Sequence, residues 1–65
     1  MFDNLIGFPV YDVVRAAVKN QLNVFISREW VGRRVVKHAK PDEISNPVLL
    51  LEVEDGKVTN LWLVQ

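Results

Sequence analysis

The sequence predicts an α+β domain: one N-terminal helix packed on a small, mostly antiparallel sheet of three or four strands that ends in a β-hairpin. Three observations lead there. Two β-type runs, VLLLEVE and KVTNLWLV, flank Asp55-Gly56 between Val48 and Val64, and Asp-Gly is a strong two-residue hairpin signal. After Pro9, the residues Val10, Val13, Val14, Ala17, Val18 and Leu22 recur at helical spacing. Val24-Phe25-Ile26 is a short continuous apolar run, the pattern of a buried strand.

Residues 1–8 read as an apolar arm with Phe2, Leu5, Ile6 and Phe8, and Gly7 near its end. Pro9 suits the first turn of a helix, where its missing N–H costs nothing. Asp12 falls in the first turn and Lys19 near the end, which complements the helix dipole. Four valines lower the intrinsic helix propensity, so the helix depends on packing its apolar stripe onto a sheet. Asn20-Gln21-Leu22-Asn23 ends it. Residues 28–38 read as a second strand at Trp30 to Lys37, with Gly32 as a bulge, the alternative being a partly ordered basic loop. Val31, Val35 and Val36 are β-branched and need burial. A hairpin from Val24–Ile26 into Val31–Lys37 follows. Residues 39–47 contain Pro41 and Pro47 and read as a connection, with a short helical turn at Asp42 to Ile44.

A two-residue turn sets the ladder of the last hairpin. Glu54 pairs with Lys57, Val53 with Val58, Leu51 with Asn60, Leu50 with Leu61, Leu49 with Trp62 and Val48 with Leu63. Alternation then places Leu49, Leu51, Val53, Val58, Asn60, Trp62 and Val64 on a core face. The opposite face has a polar end near the turn and an apolar end at Val48, Leu50, Leu61 and Leu63. The apolar end needs a cover. The N-terminal arm is one candidate, and a second copy or a partner is the other.

The 65 residues make one domain spanning 1–65. Such a chain buries only about 60% of its unfolded surface, so its stability margin is thin. Small domains often rely on disulfides, a metal or oligomerisation. There is no cysteine and a single histidine, His38, which leaves oligomerisation or partner binding. No metal or cofactor is expected. No run approaches the roughly 20 apolar residues of a membrane span, and MFDNLIGFP lacks the basic start of a signal peptide. A cytoplasmic protein without membrane contact is the expectation. Net charge is zero, but the chain is bipolar. Arg28, Arg33, Arg34, Lys37 and Lys40 against Glu29 give residues 28–40 a net of +4. Asp42, Glu43, Glu52, Glu54 and Asp55 against Lys57 give residues 41–65 a net of −4.

Material for catalysis is thin. His38 lies in a basic, polar stretch and reads as a surface residue. Ser27 and Ser45 sit at element edges, where hydroxyls cap and turn the backbone. Glu52, Glu54 and Asp55 cluster at a hairpin tip, the ordinary place for solvated carboxylates. Gly7, Gly32 and Gly56 are isolated, so no phosphate-binding loop is present. No catalytic residue is assigned, and an enzyme is not expected.

The reading is a non-catalytic protein–protein interaction module that self-associates or docks on a protein partner. Trp30, Arg33 and Arg34 carry polar recognition, and Leu50, Leu61 and Leu63 carry apolar association, since aromatic and arginine side chains dominate interface energies. One alternative is nucleic-acid binding, with Arg28, Arg33, Arg34, Lys37 and Lys40 tracking phosphates while Trp30 stacks on a base. On one continuous strand Arg28, Trp30, Arg34 and His38 share a face, with Arg33 and Lys37 on the other. The order of elements also resembles the potato inhibitor I family of serine-protease inhibitors. Leu5-Ile6-Gly7, the helix to Leu22, Val24-Phe25-Ile26 and the final hairpin align with it. Residues 28–47 are longer than that family's binding loop, and Asn46-Pro47 stands where the family places loop-bracing arginines. The resemblance implies a second alternative: a small inhibitor that presents the 28–47 region to an enzyme.

Overall fold

In the computed structural model, residues 3–39 and 41–65 are described. A 3-10 turn at Asp3–Leu5 precedes helix α1 (Val10–Lys19). Four strands follow: β1 (Asn23–Val31), β2 (Arg34–Lys37), β3 (Val48–Glu54) and β4 (Lys57–Val64). They form one sheet in the order β2-β1-β3-β4. Two of the pairings, β1 with β2 and β3 with β4, are antiparallel. The central pair, β1 with β3, is parallel. The α+β class, the single helix and the terminal hairpin are those the sequence predicts.

Packing dictates the helix position. Val13 and Ala17 are fully buried against Leu49, Leu51, Val53 and Val58, and Leu5, Val10, Leu22, Val24, Ile26 and Leu61 pack around this cluster. Val18, expected on the apolar stripe, is 64% exposed, because the stripe that meets the sheet is narrow and centred on Val13 and Ala17. Pro9 occupies the N-cap position and offers no side-chain cap. The carbonyl of Gly56, in the turn of the last hairpin, instead accepts the N–H of Val10 at 2.8 Å. One of the unpaired N–H groups of the first helical turn is thereby satisfied by a distant segment. At the other end Gln21 adopts φ +59°. Leu22 N–H donates to the Ala17 carbonyl and Gln21 N–H to that of Val18, both at 3.0 Å. This is a Schellman closure with glutamine where glycine is usual, and it drops Leu22 onto the core.

The strands at residues 23–37 differ from expectation. β1 continues through Trp30 to Val31, and Gly32 lies in the turn rather than in a bulge. With φ +59° at the first of two central positions, Gly32 supplies the positive φ that a two-residue hairpin requires there. The N-terminal arm also differs. Its described residues do not close over the apolar end of the last hairpin, and residues 7–9 lie along the outer edge of β4 near the turn. Gly7 N–H donates to the Val58 carbonyl at 2.7 Å, and Val58 N–H donates to the Phe8 carbonyl at 2.9 Å. Phe2 lies outside the described residues. Among the described residues, no helix is long and apolar enough to cross a membrane.

Candidate functional site

Two bulges set what the sheet presents on the side away from the helix. In β4 the ladder passes from Val53–Val58 to Glu52–Asn60, so Thr59 is an extra residue. In β1 the register shifts between Ile26 and Arg28, around Ser27. Both hydroxyls donate to β3 carbonyls, Thr59 to Glu52 at 3.3 Å and Ser27 to Leu51 at 3.1 Å. An extra residue moves every later side chain to the other face.

The first bulge overturns the expected hairpin register. Leu61 now pairs with Leu51, Trp62 with Leu50, Leu63 with Leu49 and Val64 with Val48. The expected trio Leu50, Leu61 and Leu63 is therefore divided. Leu61 packs against the core on the helix side, and Leu63 shares that side by register. Leu50 remains on the open side, joined by Trp62, which was expected in the core and is 45% exposed. Asn60 faces away from the core, and its side-chain oxygen accepts the N–H of Leu61 at 3.0 Å. A sequence signal for the slip existed. Strict alternation breaks at Thr59-Asn60, and only an extra residue lets both Val58 and Leu61 meet the helix.

The second bulge turns Arg28 and Trp30 outward. Val24 and Ile26 pair with Leu49 and Leu51 and face the helix, whereas Arg28 and Trp30 pair with Glu52 and Glu54 and face away. The open side thus reads in rows. Phe25, Leu50 and Trp62 lie side by side across β1, β3 and β4. The next row holds Lys37, Arg28, Glu52 and Asn60, and the one after it Val35, Trp30, Glu54 and Lys57. Phe25 and Leu50 are half-buried. Val48, on the same side but outside the helix core, is fully buried. The connection through half-buried Pro41 and Ile44 passes this end of the sheet and is tied to Asn23 through the Ser45 and Pro47 carbonyls.

The charges on this side are mixed. Arg28 Nη1 stands 3.6 Å from Glu52 Oε2, and its guanidinium lies 5.6 Å from the Trp30 ring centroid. A partly exposed pair of this kind contributes at most about 1 kcal/mol, so its main effect is to orient Arg28 along the surface. His38 meets Phe25 edge-on at 6.5 Å between centroids.

The other basic residues scatter. Arg33 sits in the β1–β2 turn. Arg34 pairs with Val31 and so lies on the helix side, while Lys37 pairs with Arg28 on the open side. The turn after Val31 thus reverses the face expected for Arg34 and for Lys37. Lys40 lies outside the described residues. The 28–47 region, which the inhibitor resemblance would present to an enzyme, is divided among β1, the β1–β2 turn, β2 and the connection to β3. Phe25 and Trp62, the large side chains at the centre of the open side, were not among the expected contact residues.

No protein-family model matches the chain, and no curated protein or solved structure shows significant similarity to it.

Proposed function

We propose that the chain is a non-catalytic, cytoplasmic protein-interaction module that self-associates through the open side of its sheet. The observation that carries this reading is the row Phe25, Leu50 and Trp62, which runs across three strands on the side opposite the helix. The row borders a polar row, Lys37, Arg28, Glu52 and Asn60, on the turn side and the buried Val48 on the other, so an apolar core meets a polar rim on one flank, as at an interface. Trp62 is its anchor, and a second copy offers the same row to it. Arg28, Glu52 and Glu54 beside the row carry both signs, so two copies can match charge at the rim. The small core of a 65-residue chain gains from the extra burial.

The test is solution mass by light scattering over a range of concentrations, for the wild type and for Trp62→Glu and Leu50→Glu. Trp62 is exposed enough for its variant to fold, which circular dichroism checks. A wild-type dimer that becomes monomeric in both variants, but not in Arg34→Glu, supports the reading. A wild-type monomer throughout the range removes self-association.

A second reading has one specific observation in its favour. Phe25, Trp30, Trp62, Arg28 and Lys37 share the open side, and aromatic side chains with cations on a sheet can stack single-stranded bases. Glu52 and Glu54 in the same rows oppose phosphates. Salt-sensitive oligonucleotide binding that Lys37→Glu abolishes would favour this second reading.

A further inference from the structure

The two edges of the sheet are treated differently. Along β4, residues 7–10 run beside the turn end and bond to Gly56 and Val58, with Pro9 bridged to Lys57. Beyond β2, among the described residues, there is no strand. Arg34 closes the hairpin with Val31, and His38 N–H donates to Ser27 O at 2.8 Å. Alternation along an antiparallel pair therefore turns the backbone groups of Arg34, Val36 and His38 toward β1, and those of Val35 and Lys37 outward. All four residues of β2 are exposed. Such an edge is a template for another strand.

The side chains restrict what that strand can be. Arg33, Arg34 and Lys37 line this edge, and among the described residues none of them makes an ion pair. Their repulsion disfavours a second copy. Two β2 strands related by a twofold axis must place side chains of one face opposite each other. Centring on Val35 sets Arg33 against Lys37 of the other copy, and centring on Val36 sets Arg34 against His38. Both arrangements gather all six cations along one seam, and the first sets like charges directly opposite, which destabilises a sheet. Val35 and Val36 are nevertheless 45% and 46% exposed, one on each face, with Val31 59% exposed beside them. β-branched residues in a strand are suited to packing against a neighbour.

We propose that the outer edge of β2 docks an acidic protein segment in extended conformation, which adds to the sheet as a further strand. Main-chain bonds to Val35 and Lys37 give the pairing, acidic side chains meet Arg33, Arg34 and Lys37, and apolar ones cover Val35 and Val36. This is strand addition with charge selecting the partner. It uses a different surface from the row proposed for self-association, so either can fail without the other.

The experiment is a titration of the full chain, followed by NMR, with a capped hexapeptide of two central valines flanked on each side by two acidic residues, so that the valines lie opposite Val35 and Val36 and acids lie opposite Arg34 and Lys37 on both faces. Controls carry lysine at the acidic positions or N-methyl groups on alternate amides. The expected result is shifts and slowed hydrogen exchange at the Val35 and Lys37 amides. Affinity should fall about tenfold or more in Arg34→Glu/Lys37→Glu, and the same double variant should bind the lysine peptide instead. High salt weakens both, because exposed charges are screened within about 3 Å at 1 M. Equal binding of acidic and lysine peptides, tolerance of the N-methyl groups, or no binding overturns the proposal. Slowed exchange at these amides by a single-stranded oligonucleotide but not by the acidic peptide also overturns it, and assigns the edge to nucleic acid.

Discussion

Leu51 and Trp62 show how little side-chain size alone says about stability. Leu51 is completely buried between the helix and the flanking strands, whereas Trp62 is 45% exposed on the other side. Truncating a buried leucine removes its transfer free energy and leaves a cavity, together about 2–5 kcal/mol. A half-exposed tryptophan loses only its covered portion, about 1–2 kcal/mol. Urea unfolding in dilute protein should therefore rank Leu51→Ala as more damaging than Trp62→Ala. The opposite ranking would return Trp62 to the core and remove the Thr59 bulge. Thr59 and Ser27 themselves are small hydroxyl residues whose side chains meet β3 carbonyls where the ladder slips, which makes the slips part of the architecture.

At the level of elements, the two hairpins are joined at their tips. Asp55 Oδ1 accepts the N–H of Gly32 at 2.9 Å, and Asp55 N–H donates to the Trp30 carbonyl at 2.9 Å. Asp55 holds φ +50°, which Asp and Asn tolerate better than other non-glycine residues. Asp55→Asn keeps both the acceptor and the backbone preference and should unfold close to the wild type. Asp55→Ala loses both and should cost about 1–3 kcal/mol in denaturant unfolding. Equal stability of the two variants would mean that the tips are not coupled. The same turn supplies the Gly56 carbonyl to the N-terminus of α1. One short segment thus positions the helix, the second hairpin and the β1–β2 tip that carries Arg33.

Over the whole molecule, one helix covers one side of a four-stranded sheet. Among the described residues the fully buried hydrophobic ones are few: Val13, Ala17, Val48, Leu49, Leu51, Val53 and Val58. A core of small aliphatic side chains leaves a narrow stability margin. If copies associate through the Phe25, Leu50 and Trp62 row, the folded state is stabilised by mass action. The midpoint of thermal unfolding should then rise with protein concentration in the wild type and stay constant in Trp62→Glu. A concentration-independent midpoint in the wild type would show that the monomer carries its own stability.

Much of this architecture is local and therefore legible in the residues alone. The Asp55-Gly56 turn needs only two positive φ angles, the helix only its spacing from Val10 to Leu22, and the strand at Val24 only a short apolar run. Each rests on neighbours a few positions apart. The faces of the strands rest on something else. Whether Leu61 or Trp62 meets the core depends on Thr59 being extruded, and whether Arg28 meets solvent depends on the shift at Ser27. Both slips occur beside β3, which must place Leu49, Leu51 and Val53 against Val13 and Ala17 while pairing with β1 on one side and β4 on the other. That condition couples residues 13, 27, 51 and 59, and no window of the chain contains them all. The parallel neighbour relation of β1 and β3 has the same origin. The elements follow from short-range preferences, whereas the composition of the open side and of the free β2 edge follows from long-range packing.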